Sequence, residues 1–235
     1  MKIAICTPCQ DQVNAGFALD LAMLVGHAAR TLPETEVAVI QNRGTIIPQQ
    51  RAALVYAAQA FGATHLLWID SDMRFPKDTL GRLLAHDQAI VAANYPTRRP
   101  PILPTAEHTD HGYLFTPDDA EGLSSVTHCG LGFMLVDMSV YGVIREPWFH
   151  LGYNRAVHEY AGEDFYFCKR AREEGYDILI DQDLSRQVRH AGEIEWTAAH
   201  ALVTRDAYQP PAIERSLGLV DAAGTPLHSG NGDGA

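Results

Sequence analysis

Apolar residues in this chain fall in short runs separated by amphipathic stretches. Ile3-Ala4-Ile5-Cys6 reads as a buried strand over residues 2–6, followed by a Thr7-Pro8-Cys9-Gln10 loop. From Ala15 to Arg30, Phe17, Leu21, Leu24 and Ala28 recur at helical spacing, and Pro33 closes that element. Val37-Ala38-Val39-Ile40 predicts a second strand and Gln41-Asn42-Arg43-Gly44 a turn. Pro48 opens a helix carrying Leu54, Ala57, Ala58 and Phe61, and Gly62 ends it. Leu66-Leu67-Trp68-Ile69 forms a third strand that runs into Asp70-Ser71-Asp72. Pro76 starts a helix through Leu80, Leu83 and Leu84, and residues 89–93 form a fourth strand.

The second half is less regular. Pro, Thr, His and Asp crowd residues 94–127, with short strands expected near Leu103 and over Tyr113–Phe115. Cys129 to Asp137 reads as a strand with two glycines in its first half. A helix is expected from Gly162 to Glu174, stopped by Gly175, and then a strand over Asp177–Asp181. Beyond Pro210 small residues dominate, so 210–235 is expected to be a flexible tail behind one domain over 1–209. Strand–helix alternation with nearly all-apolar strands predicts an α/β fold, its mostly parallel sheet covered on both faces. Ligands of such sheets bind beyond the carboxyl ends of the strands, where Asp70, Asp72 and the Thr7–Cys9 loop fall.

Composition narrows the partners. The chain has 235 residues, 46% of them hydrophobic and 20% charged, as an ordinary globular protein with a sizeable core does. No apolar run reaches the ~18 residues that a membrane span needs. The start of the chain has too short an apolar stretch for a signal peptide, so a cytoplasmic location is expected. A formal charge of −11 argues against nucleic acid or anionic lipid as a partner. An acidic protein that handles phosphates needs a metal or a few well-placed arginines.

Several residues carry candidate chemistry. In an extended segment residues i and i+2 project to one side, which would let Asp70 and Asp72 hold a divalent cation bearing a diphosphate. Asp and Ser are also ordinary turn residues, which leaves a plain strand end as the other reading. Cys6-Thr7-Pro8-Cys9 has the C-x-x-C spacing of a redox motif, while Cys129 and Cys168 supply no second pair for a zinc site. Tyr95, Trp148 and Tyr153 could stack on a sugar face or simply pack. His108 and His111 could form a second metal site or lie solvated in a loop.

Four segments together resemble the GT-A glycosyltransferases, in particular the family-2-like group that uses nucleotide-diphosphate sugars. Ile69-Asp70-Ser71-Asp72-Met73 looks like the D-x-D motif. Cys129-Gly130-Leu131-Gly132-Phe133 is similar to the glycine-bearing strand on the acceptor side. Gly162-Glu163-Asp164, continuing to Arg170-Ala171 and Gly175-Tyr176, looks like the acidic-pair helix over the reacting sugar. Val188-Arg189-His190 resembles the late histidine of the metal site.

The resemblance implies a GT-A, Rossmann-like fold with an irregular acceptor-side half. It implies Asp70, Asp72 and His190 as metal ligands, with the imidazole leaning the ion toward Mn²⁺ over Mg²⁺. Asp164 would be the general base of an inverting transfer, and Glu163 would orient the acceptor. Thr7, Pro8, Cys9, Arg51, Asp70 and Ser71 would bind the nucleotide of a UDP- or GDP-sugar, and Gly130, Leu131, Gly132 and Trp148 would form the acceptor side. The second strand ends in Gln41-Asn42 where that family carries an acidic residue, so uracil against guanine stays open.

Other readings are a sugar- or nucleotide-binding module without turnover, a nucleotidyltransferase and a redox protein. A nucleotidyltransferase would carry a glycine-rich, basic loop after the first strand, which Thr7-Pro8-Cys9-Gln10 is not. A dehalogenase-type phosphatase would not continue its D-x-D into Met73-Arg74.

Overall fold

The structure is a computed structural model, which describes residues 1–98, 100–108, 111–155, 158–192 and 197–205. The first half alternates as expected: β1 (Lys2–Cys9), α1 (Ala15–Thr31), β2 (Glu36–Arg43), α2 (Ile47–Phe61) and β3 (His65–Ile69). A short β4 (Met73–Arg74), α3 (Thr79–Ala85) and β5 (Ile90–Ala92) follow. The irregular half holds β6 (Glu107–His108), β7 (Gly112–Tyr113), β8 (Leu123–Val126), β9 (Phe133–Asp137) and α4 (Met138–Val143). Then come the β10 (Gly152–Asn154) and β11 (Glu159–Ala161) hairpin, α5 (Glu163–Glu173), β12 (Ile178–Asp181), α6 (Gln182–Ser185), β13 (Arg189–His190) and α7 (Ala198–Arg205).

Seven strands form one sheet in the order β2-β1-β3-β9-β5-β12-β8. β2, β1 and β3 are mutually parallel, as are β5 and β12, while β9 and β8 run antiparallel to their neighbours. This is the Rossmann-like, mostly parallel α/β architecture expected of a GT-A fold. Alternate residues of each strand feed two cores, because strand side chains alternate faces. Ala4, Cys6, Leu66, Trp68, Met134 and Val136 pack with Leu54 and Ala58 of α2 and with Phe167 and Ala171 of α5. Ile3, Ile5, Leu67, Ile69, Phe133 and Leu135 pack with Phe17 and Leu24 of α1 and with Leu80 and Leu83 of α3.

Local chemistry explains the main boundaries. Asn14 caps α1, its Oδ1 accepting from the Gly16 and Phe17 amides. Gly62 ends α2 at φ +77°, in the left-handed region where glycine carries no Cβ penalty.

Several boundaries differ from the sequence expectation. β1 runs through Thr7, Pro8 and Cys9, which pair with Gln41, Asn42 and Arg43, so neither the expected loop nor the expected turn forms there. At the sheet edge, the pairing partner outweighs the turn propensity of those residues. The glycine-bearing first half of 129–137 stays outside β9. No strand forms at Leu103, which lies beside an isolated bridge between Pro96 and Pro104. The expected tail over 210–235 lies outside the described residues.

Candidate functional site

A cleft of about 250 Å³ opens at the carboxyl ends of β1, β2 and β3. Pro8 and Cys9 line one side, Gly44, Thr45 and Gln50 another, and Asp70, Ser71 and Asp72 the floor. Gln50 Nε2 donates to the carbonyls of Cys9 (2.7 Å) and Asn42 (3.0 Å), tying α2 to the tips of β1 and β2. Thr7 does not reach the cleft. It is fully buried, and its Oγ1 has no hydrogen-bond partner among the described residues.

Asp70 and Asp72 do not share the extended geometry first expected of them. β3 ends at Ile69, and Asp70 to Met73 form a tight turn closed by Met73 N donating to Asp70 O at 3.1 Å. Asn14 N donates to Ser71 O (2.9 Å) and holds that turn against the start of α1. Asp70 still follows the strand's alternation and lies on the Trp68 face, toward α2. Asp72, inside the turn, faces β13. The motif's two carboxylates therefore border one cleft with different partners.

Asp70 belongs to a buried cluster built on Arg51. Only 3% exposed, Arg51 donates from Nη2 to Asp70 Oδ1 (3.1 Å) and from Nε to Glu163 Oε1 (3.0 Å). Its guanidinium carbon lies 5.1 Å from the Trp68 ring centroid, a cation–π contact. Burial disfavours the Arg51 charge, but the Asp70 and Glu163 carboxylates outweigh it and raise the pKa. Arg51 is thus neither a solvated helix residue nor the open nucleotide contact first expected. It is a strut between two carboxylates.

Glu163 and Asp164 open α5, where carboxylates meet the positive end of the helix dipole. Asp164 Oδ1 accepts from Phe165 N at 2.7 Å and lies against Gly162, where a Cβ would collide with it. Burial, and then the Glu163 charge, raise the Asp164 pKa from its ordinary value, against weaker opposition from Phe165 N–H, Arg51 and His128.

Asp72 pairs with His190 and Arg98. His190 reaches it because β13 pairs with β4, His190 opposite Met73, and because Ala191 N donates to Asp72 O at 2.8 Å. His190 Nδ1 lies 2.9 Å from the Pro96 carbonyl oxygen, which can only accept, so Nδ1 carries a proton. His190 Nε2 lies 3.5 Å from Asp72 Oδ1, within ion-pair distance. Arg98 Nη1 is 2.6 Å from Asp72 Oδ2. Burial alone would raise the Asp72 pKa, but His190 and then Arg98 hold it below the ordinary range.

These donors suit a divalent cation in part. Two cis donors on an octahedral ion with bonds of ~2.1 Å lie about 3 Å apart, near the Asp72–His190 separation. The backbone bond at Nδ1 is the outer support that metal-binding histidines use. Asp70 does not join them: its Oδ1 is on Arg51, and among the described residues no three His, Cys, Asp or Glu side chains converge on a metal position. Of the three expected ligands, Asp72 and His190 face each other, while Asp70 is engaged by Arg51. His108 and His111 keep their rings 5.8 Å apart, but no such cluster forms there either.

The acceptor-side residues are largely interior. Gly130, Leu131 and Gly132 are all buried. The glycines make room for Tyr95: a Cβ at either would overlap the Tyr95 hydroxyl, and one at Gly132 would also come within 2.9 Å of Asp70 Oδ2. Gly132 N donates to that hydroxyl at 2.8 Å, so Tyr95 is a buried wedge and not a sugar platform. Trp148 is 5% exposed in the core, its indole N–H donating to the carbonyls of Tyr141 and Ile144, and cannot serve the acceptor side. Tyr153 alone of the three proposed aromatics is exposed.

The C-x-x-C pair is not a redox couple. Both cysteines are free and lie three residues apart in one strand, about 10 Å and on opposite faces, beyond the ~7 Å limit for a disulfide. Burial pushes the Cys6 thiol up to about 12.

Sequence reading missed Arg98, Gln50 and the Tyr95 wedge. Arg98 stands in a Pro-rich stretch without periodicity, and only its contact with Asp72 reveals it.

No protein-family model matches this chain, and no curated protein does. Among solved structures, A197 from STIV is similar with a TM-score of 0.53 at 15% identity, over 82% of this chain and 86% of that one. S. aureus TarS 1–349 gives 0.42 at 12%, over 78% of this chain and 58% of that one. A glycosyltransferase involved in the glycosylation of the major capsid of PBCV-1 gives 0.33 at 13%, over 63% and 70%. The likeness to A197 shows the fold: this chain has a Rossmann-like α/β architecture shared with a structure of very different sequence.

Proposed function

We propose that this protein is a glycosyltransferase that moves a sugar from a nucleotide-diphosphate donor to a hydroxyl acceptor, with inversion. The observation that carries this reading is the double engagement of Arg51. One buried guanidinium grips Asp70 on the cleft and Glu163 beside Asp164, so donor-side and acceptor-side carboxylates are held in fixed relation. That is the preorganisation a direct displacement needs.

The nucleotide of a UDP- or GDP-sugar would lie in the cleft against Pro8, Cys9 and Ser71. The acceptor oxygen attacks the anomeric carbon while its proton passes to Asp164. The bond from the anomeric carbon to the diphosphate oxygen breaks, and its electron pair leaves with the nucleoside diphosphate. A raised pKa suits Asp164 to this role, because a base works best with a pKa near the operating pH. Glu163, fixed by Arg51, would orient the acceptor.

Asp72 and His190 would hold Mn²⁺ (or Mg²⁺), which when bound supplies Lewis-acid neutralisation of the departing diphosphate. Arg98 adds a positive group at the same carboxylate and answers the need of an acidic protein for counter-charge.

The test is a set of thermal melts with UDP or GDP, each with and without Mn²⁺. Metal-dependent stabilisation by one of them is expected; its absence with both sinks the reading. Slow hydrolysis of the matching donor sugar would then separate an enzyme from a binding module.

A further inference from the structure

The β10–β11 hairpin leads directly into the acidic pair of α5. Tyr153 and Tyr160 lie opposite each other in its register, with ring centroids 5.0 Å apart and planes inclined at 53°. A cross-strand aromatic contact stabilises a hairpin, but it does not require the rings to stay in water. Here Tyr153 is 49% and Tyr160 74% exposed. Tyr153 Oη is hydrogen-bonded to His158 Nδ1 (3.1 Å), which fixes that ring's direction. β11 ends at Ala161, Gly162 caps α5, and Asp164 is four residues beyond Tyr160. At ~3.5 Å per residue the chain keeps Tyr160 within about 14 Å of Asp164. Phe165, also exposed, follows Asp164 directly.

We propose that Tyr153 and Tyr160 form a subsite for a second sugar ring of a saccharide acceptor, outward from the ring whose hydroxyl Asp164 deprotonates. This inference rests on the glycosyl-transfer reading and names its acceptor class. A pyranose stacks its C–H face on an aromatic ring while its hydroxyls remain in water, so it calls for exposed aromatics with polar groups at their edge. The tyrosine pair has that character, with its own hydroxyls and His158 beside it. A lipid chain calls instead for a continuous apolar groove, and nucleic acid is disfavoured by the net charge of −11. A reach of up to about 14 Å from Asp164 has room for a disaccharide.

The experiment uses the full chain on an array of immobilised mono- to hexasaccharides, with wild type, Tyr160→Ala, Tyr160→Trp and Tyr153→Ala/Tyr160→Ala. In parallel, each protein is melted with UDP or GDP plus Mn²⁺. The wild type should be retained on at least one di- or longer glycan. Tyr160→Ala should lower that retention at least tenfold, the double variant further, and Tyr160→Trp should keep it. The nucleotide-induced shift should be equal in all four proteins. Retention of no glycan by wild type, equal retention by Tyr160→Ala, or loss in Tyr160→Trp as large as in Tyr160→Ala each overturns the subsite. A nucleotide shift without glycan retention overturns the subsite alone. Tyr160-dependent retention without any nucleotide shift overturns the transfer reading and, with it, the acceptor role of this face.

Discussion

Arg51 Nε donates to Glu163 Oε1 at 3.0 Å across 112 residues of chain and joins the two halves of the candidate site. The same guanidinium reaches Asp70 from Nη2. A buried cation with two carboxylates is rigid while complete and costly when broken, because removal of one member leaves uncompensated charge.

Arg51→Ala is expected to destabilise the protein by about 3–5 kcal/mol, since it leaves Asp70 and Glu163 without their shared cation. Urea denaturation measures this. A loss below about 1 kcal/mol, the range of exposed ion pairs, would show that the cluster is solvated in solution.

Asp164→Asn should lower transfer by about 10²–10⁴-fold, the usual contribution of a positioned base. It should leave the nucleotide-dependent melting shift intact. Wild-type turnover should rise with pH through a pKa above that of an ordinary aspartate. The stability effect has the opposite sense. A raised native pKa means that the native state holds the Asp164 proton more tightly than the unfolded chain. That contribution is complete below the unfolded pKa and is lost as pH rises through the native one. Asp164→Asn should therefore be more stable than wild type at pH 7, with the difference shrinking on acidification. Parallel melts from pH 4 to 8 read it directly.

His190→Ala should weaken Mn²⁺ binding by at least tenfold if Asp72 and His190 hold the ion, and Asp72→Asn should abolish the metal-dependent part of the nucleotide shift. Titration of Mn²⁺ by electron paramagnetic resonance reports the free ion without reference to activity. Unchanged affinity in both variants would remove the metal from this pair.

Gly132→Ala places a Cβ against the Tyr95 hydroxyl and Asp70 Oδ2. Overpacking of this kind costs about 1–3 kcal/mol. Tyr95→Phe leaves the buried Gly132 amide without its acceptor, at a cost of about 1–3 kcal/mol. Chemical denaturation of each variant tests this, and a neutral Gly132→Ala would mean that the wedge does not pack as described.

Dithiothreitol should change neither the melting temperature nor any activity, because Cys6 and Cys9 are held apart by the strand they share. A dithiothreitol-sensitive exchange reaction that Cys6→Ser removes would contradict that separation.

The strand–helix alternation of the first half was legible from residue patterns, because buried strands and amphipathic helices each write a period into the chain. Cys129 to Asp137 shows where that legibility ends. Its apolar half, from Phe133, is a strand, while Gly130 and Gly132 lie outside it for a reason 37 residues away from Gly132, at Tyr95. The β10–β11 hairpin was missed because its strands are three residues long, too short for a period-two pattern to stand out.

By itself the sequence determined the α/β class, the placement of Asp-Ser-Asp at a strand end and the acidic start of α5. These depend on neighbours in the chain, whose periodicity and capping chemistry are local. Tertiary structure alone decided the partners. It buried Arg51 between Asp70 and Glu163, brought His190 to Asp72 through the β4–β13 pairing, and moved Trp148 into the core. It also sent Asp70 and Asp72 in different directions, since a turn interrupts the alternation that an extended chain would have kept. Contacts between distant segments arise from packing one element on another, and no spacing of residues along the chain encodes them.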